Sequence, residues 1–247
     1  MSRWKAAGLH LLISVVIGIL TASLIYFIWY PPPYFEVAGG STLMLVIMGV
    51  DITIGPFLTL AVFKTGKKGL KFDLSVIAIL QIAAFCYGLH AIALARPVFV
   101  VAEVDRYVLV TASQLADEDL AQGSAPEYRS RSWSGPRLIG AVPPKRGDEA
   151  LQMATSALAG KDIDLFPKYY VPYDQVSEKL LERSHPLADL LKKPASDAEK
   201  VNSFLKQHGG DIAQFRYLPL QGRLDGYSMV VSAQTRQPIT ALAIDPW

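Results

Sequence analysis

The sequence predicts an α-helical membrane domain of three transmembrane helices, residues 1–96, followed by an exported α+β domain with an antiparallel sheet, residues 97–247. Three observations predict it. Apolar runs at 10–30, 42–63 and 74–95 are each about twenty residues long, enough to cross a hydrocarbon core of about 30 Å at about 1.5 Å per residue. Basic residues are distributed unevenly around those runs: seven Lys or Arg meet only Glu36, Asp51 and Asp73 up to Arg96, whereas seventeen basic residues meet nineteen acidic ones afterwards. Beyond Arg96 the pattern changes to short β-branched runs separated by Gly, Pro and helix-capping residues.

The first run is longer than a signal-peptide core, and no small-residue cleavage site precedes its aromatic end, so it is expected to remain as an anchor. Arg3 and Lys5 precede it, the loop 31–41 has no Lys or Arg, and the next loop contains Lys64, Lys67, Lys68 and Lys71. The positive-inside rule therefore puts the N-terminus and the lysine loop in the cytoplasm. Three crossings carry the rest to the far side, the periplasm of a Gram-negative cell. Trp29, Tyr30, Tyr34 and Phe35 surround Pro31, Pro32 and Pro33, and the rings are expected among headgroups at the outer interface.

Each run has a narrow face of small or polar residues: Ser14, Gly18 and Thr21; Asp51, Gly55 and Thr59; Gln81, Ala84 and Gly88, with Ala78 at its edge. Spacings of three and four put each set on one side of a helix, where backbones approach closely and polar groups bond across. A charge at a bilayer centre costs about 2.5–3.5 kcal/mol, so Asp51 is expected to face protein or water. Two readings are open: the faces pack against one another, or one of them receives another protein's helix. Asp51, Gly55, Thr59, Gln81 and Gly88 are the candidate contact residues.

In the second domain, 98–102 and 106–111 read as strands, and Ser113 as the N-cap of a short helix reaching Ala121. Residues 122–135 read as a surface loop and 138–142 as a strand. Helices are expected at 148–158, at 174–191 with a break near Pro186, and at 196–208, where Ser196 and Glu199 stand at capping-box spacing and Gly209 and Gly210 follow. Strands at 214–220, 227–233 and 239–244 end the chain, the last two joined by the hairpin 234–237.

Several chemistries are not supported. Neither half has the dense basic stripe that phosphate neutralisation needs, so nucleic acid is not an expected partner. The phosphate-loop, H-E-x-x-H and G-x-S-x-G patterns are missing, and His10, His90, His185 and His208 lack companions at zinc spacing. Asp51 has no second carboxylate in the other runs with which to share a proton, as an aspartyl protease needs. The expectation is a non-enzyme with no metal, cofactor or catalytic residue. Cys86, the single cysteine, reads as a small hydrophobe. Tyr169, Tyr170 and Tyr173 offer amphipathic rings and are candidate contacts of the exported domain, with the alternative that they cover its core. Trp247 is expected to pack on the last strand.

The strings MSRWKAAGLHLLIS, WYPPPYFEVAGG, GVDITIGPFLTLAVFKTGKKGLKFDLSVIAILQ, ARPVFVVAEVDRY, FRYLPLQGR and AIDPW together resemble the TfpX/TfpZ family of type IV pilin accessory proteins. The resemblance is continuous through the membrane half and rests on the first strands and the tail in the second. It implies a non-enzymatic inner-membrane protein that keeps a cognate major pilin competent for assembly, with the lipid bilayer and that pilin as partners and the pilus assembly machinery as a further one. The family has no established catalytic residues to carry over. The three helices would then cradle the pilin's apolar N-terminal helix, with Asp51 pairing its free amine, while the exported domain meets the pilin head. A membrane-anchored envelope sensor acting through a partner protein is the alternative; the short cytoplasmic loops leave no room for an output domain.

Overall fold

The computed structural model describes residues 2–145 and 147–247, with every side chain among them except that of Ile47. Helix α1 (Arg3–Leu24) starts under Ser2, whose hydroxyl accepts a hydrogen bond from the Lys5 N–H at 3.3 Å, and runs on into a π-helical turn (Ile25–Trp29). A one-turn helix α2 (Tyr34–Val37) leads to α3 (Gly40–Val62), and a lysine loop connects α3 to α4 (Leu70–Ala95). These three long helices are apolar enough to cross a membrane, with mean hydropathies of 2.6, 2.0 and 2.0. The first and third begin several residues before the apolar runs do. Helices α1 and α4 both pack along α3 and scarcely touch each other.

Arg96 turns the chain into a sheet of eight strands: β1 (Pro97–Glu103), β2 (Arg106–Thr111), β3 (Arg137–Ala141), β4 (Tyr170–Pro172), β5 (His185–Pro186), β6 (Phe215–Gln221), β7 (Tyr227–Ser232) and β8 (Pro238–Leu242). Their order is β4-β3-β1-β2-β6-β7-β8, with β5 also pairing β6. The expected antiparallel sheet is corrected here to a mixed one, because β1 pairs β3 and β2 pairs β6 in parallel. Parallel neighbours need long crossovers. The connections from β1 to β3 and from β2 to β6 supply them, the latter through α6 (Gly147–Leu158), α7 (Asp174–Glu182) and α8 (Ala195–His208). The hairpins β1–β2, β6–β7 and β7–β8 are antiparallel, as their short loops require.

Local differences have simple causes. Thr111, not Ser113, caps the turn after β2, exchanging hydrogen bonds with Gln114, and α5 is confined to Asp117–Ala121. The expected 174–191 helix ends at Glu182; Pro186, which cannot donate to a helix, falls in β5, and a 3-10 stretch (Leu187–Lys192) follows. Helix α8 begins at Ala195 behind Pro194, so Ser196 is not its cap. Trp247 is 73% exposed rather than packed on the last strand.

One face of the sheet carries alternate residues of four strands, among them Val100, Ala102, Leu218, Leu220, Met229 and Val231. The π turn and the segment after it pack directly onto them: Ile25, Trp29, Tyr30, Phe35 and Val37 are buried in the same cluster, together with Ile92 of α4 and Leu180 of α7. The rings expected among headgroups are thus inside protein, with Tyr34 partly buried beside them. The wide π turn, closed by Tyr30 N–H to Ile25 C=O at 2.7 Å, brings Ile25, Trp29 and Tyr30 to this face. Tyr30 donates its hydroxyl hydrogen to the Ile92 carbonyl at 2.9 Å, and Leu224 N–H bonds the Val37 carbonyl at 3.0 Å. The opposite face is covered in two parts, by the turns around Leu115, Leu120 and Ile163 and by Val201 and Phe204 of α8.

Candidate functional site

Because α1 and α4 share α3 as a neighbour but not each other, a lateral crevice of about 260 Å³ opens between them with α3 as its floor. Helix α1 contributes His10, Ile13, Ser14, Ile17, Gly18 and Thr21; α3 contributes Met48, Asp51 and Ile52; α4 contributes Ala78, Gln81, Ile82 and Phe85. The walls are mostly apolar, and the polar groups lie along the floor and the small-residue seam. Asp51 is the twelfth of the 23 residues of α3, midway along it. It is partly buried, and among the described residues it has no hydrogen-bond or ion-pair partner. Pro56, one turn further, withholds the N–H that a helix offers to the Ile52 carbonyl, adding polarity beside Asp51.

The structure separates the five candidate contact residues. Asp51 and Gln81 line the crevice. Gly55 lies beneath Gln81: a Cβ there would stand 2.7 Å from Gln81 Oε1, and the missing side chain is what lets α4 close on α3. Thr59 is buried, its hydroxyl 2.6 Å from His10 Nδ1, so it ties α3 to α1. Gly88 is half-buried and is not part of the crevice lining. The face of α1 does pack on α3, with Gly18 against Met48 and Ile52. His10, Ile82 and Phe85 carry no local sequence signal for this site; only the helix arrangement shows that they line the same crevice as Asp51.

In the α/β domain the tyrosine cluster is turned mostly inward. Tyr170 is buried against Phe99 and Tyr128 and donates to the Asp164 carbonyl; the buried Tyr173 stands 2.8 Å, hydroxyl to hydroxyl, from Tyr107 and donates to the Arg236 carbonyl. Tyr169 keeps a partly exposed ring, with Lys168 Nζ 4.7 Å from its centroid. Tyr170 lies in β4, and Tyr173 immediately precedes α7, so two of the three rings build the core rather than a contact surface.

Two buried carboxylates also lie here. Glu103 ends β1 with Oε2 enclosed and without a hydrogen-bond partner, because Arg106 is 2.9 Å from Asp105 but 3.9 Å from Glu103. Burial, then the charges of Asp164 and Asp162, push its pKa up to about 8, and burial lifts Asp164 to about 6. Folded Glu103 therefore holds a proton that the unfolded chain releases near 4.5, so stability falls as pH rises from about 4.5 to about 8 and is level above. At roughly 1.4 kcal/mol per pKa unit, and allowing for relaxation around the charge, the loss is on the order of 2 kcal/mol. Glu103→Gln is expected to remove most of this slope; denaturant melts at pH 5 and pH 8.5 read it.

Three helices apolar enough to cross a membrane, with a mostly apolar crevice between them, are continuous through a shared core with a mixed α/β domain. The family model of the fimbrial assembly protein FimB matches residues 1–39, which contain α1, the π turn and α2. The chain is similar to the serogroup I fimbrial assembly protein of Dichelobacter nodosus, 33% identical over 245 residues, covering 98% of this chain and 95% of the relative. The serogroup E1 protein of the same organism is 32% identical with the same coverage, and the serogroups C1 and C2 protein is 39% identical over 48% of this chain and 92% of its own length. No solved structure matches. The chain belongs to the fimbrial assembly protein family.

Proposed function

We propose that this protein serves fimbrial biogenesis as a non-enzymatic inner-membrane accessory protein of the TfpX/TfpZ kind, a chaperone that holds its cognate type IV pilin by the pilin's apolar helix and head before assembly. The single observation that supports this most is the lateral crevice with Asp51 unpaired at mid-helix. A carboxylate near a bilayer centre costs about 2.5–3.5 kcal/mol, and a chain gains by keeping it only if something else meets the charge. The free amine of a processed pilin helix is a matching cation, and the mostly apolar walls of the crevice, Ile13, Ile17, Ile82 and Phe85 among them, suit an apolar helix. In this reading the lysine loop is cytoplasmic and the α/β domain is periplasmic, where its surface meets the pilin head.

Asp51→Leu separates the client role from an internal one. With no partner in the bundle to lose, the variant is expected to accumulate at least as well as the wild type and to resist unfolding slightly better. Surface pili and co-purified pilin are expected to fall by tenfold or more, since removing one partner of a buried ion pair costs about 3–5 kcal/mol. Equal piliation by Asp51→Leu, or loss of the protein itself, contradicts the reading.

A further inference from the structure

The rings expected at the membrane interface are buried in the shared core, and a different ring stands outside at that level. Trp133, in the loop 129–135, is 63% exposed. Its ring centroid lies 6.0 Å from that of Trp29, the last residue of the first span, and the Arg96 guanidinium sits 3.7 Å from the centroid of Trp133. Arg96 itself directly follows the third span. Gly135 fits against the Ile28 carbonyl and Pro31, fixing the loop to the rim where the helices emerge.

Beside this ring is a cleft of about 410 Å³ lined by Arg96, Arg129 and Arg131 with one carboxylate, Asp117, which is already paired to Arg131 at 2.6 Å. Arg96 and Arg131 are spent largely on backbone: Arg96 donates to the Ser132 carbonyl at 3.0 Å and to the Ala93 carbonyl, and Arg131 to the Ala112 carbonyl at 2.9 Å and to the Leu115 carbonyl. Arg129 is exposed and spends only its Nε, on the Gly123 carbonyl at 2.9 Å. Burial, and after it the nearby Arg131 charge, lower the Arg96 pKa from its ordinary value, as expected where cations outnumber anions.

We propose that the loop 129–135 is a membrane foot: Trp133 lies in the headgroup layer beside the first and third spans, and the cleft behind it receives the phosphate of an anionic phospholipid. Tryptophan prefers that layer because its ring is apolar and its N–H is not. The three guanidiniums supply a positive field at the depth where lipid phosphates lie, and the site is continuous with helices that already meet lipid. The foot rests on the helices spanning the membrane and not on pilin as the client.

The test uses the full chain in nanodiscs of phosphatidylcholine with or without phosphatidylglycerol, after flotation has shown that it is incorporated. The fluorescence lost on Trp133→Phe isolates that ring. Lipids brominated near the ester carbonyls are expected to quench this component strongly, and aqueous iodide weakly; the reverse order overturns the foot. Phosphatidylglycerol retained by the purified protein is expected to fall roughly fivefold in Arg129→Gln, the loss expected for one cation near an anionic surface, and to be unaffected by inorganic phosphate. Unchanged retention in Arg129→Gln overturns the phosphate site, and displacement by inorganic phosphate overturns the lipid as its source.

Discussion

Gly222→Val is expected to detach the segment after α1 from the α/β domain and to lower the domain's stability by about 3 kcal/mol, the upper end of the usual overpacking range. Gly222 lies immediately after β6, where the chain passes against Val37. A Cβ at Gly222 would meet the Val37 side chain and stand 2.9 Å from its carbonyl oxygen, the same oxygen that accepts from Leu224 N–H. The new side chain cannot be accommodated by a rotamer change, because one of the obstacles is backbone. Val37 must leave, and with it the packing of Phe35 and Tyr30 on Leu218 and Leu220. For a domain of about 150 residues this corresponds to a fall in melting temperature of roughly 6–12 °C, at about 2–4 °C per kcal/mol. Limited proteolysis across 30–40 should reveal the released exit. Gly147→Ala, where a Cβ meets nothing within 4 Å, is the matched control and is expected to be neutral.

Gly55→Leu is expected to open the helix bundle. A Cβ at Gly55 meets only the end of the Gln81 side chain, which a rotamer change can move, but the bulk of a leucine also fills the space between the helices and pushes outward the wall that carries Gln81, Ile82 and Phe85. Close backbone approach is a main source of helix association in lipid, where no hydrophobic drive exists between helices. The cost is again of the overpacking kind, about 1–3 kcal/mol or more, and it falls on the bundle alone. Cysteine pairs bridging α3 and α4 are expected to crosslink in wild type and to lose most of that reactivity in Gly55→Leu. Pairs bridging α1 and α3 should persist, because His10–Thr59 and the packing of Gly18 on Met48 and Ile52 hold those two helices without Gln81.

The two variants show where sequence reasoning works and where it stops. Hydropathy, lysine placement and β-branched runs locate the long helices and most strands, because each signal is local and carried by many residues. The small faces were legible too, since spacings of three and four suffice to put Ser14, Gly18 and Thr21 on one side of α1. Which face meets which is a property of the bundle: Thr59 joins His10, Gly55 yields to Gln81, and only Asp51 and Gln81 of the five candidates share the crevice. Strand direction was hidden for the same reason. Hairpins declare themselves through short loops, whereas the parallel pairs β1–β3 and β2–β6 depend on crossovers whose route no local pattern records. The aromatic exit misled because Trp29, Tyr30 and Phe35 suit a headgroup layer and a protein core equally well; the docking of that segment on the sheet decides between them. From sequence Trp133 is only part of a surface loop, since its nearness to Trp29 spans a separation that periodicity does not reach.

Site-specific photo-crosslinking from the crevice tests the client-helix proposal most directly. A photoreactive residue at Ile82, which lines the crevice, is compared in piliated cells with one at Tyr87, which is on the same helix and more exposed but outside the lining. The prediction is an adduct with the pilin helix from Ile82, lost when Asp51→Leu is added, and none from Tyr87. Absence of pilin at Ile82, or equal capture from both positions, while Asp51→Leu leaves pilus assembly intact, would contradict it.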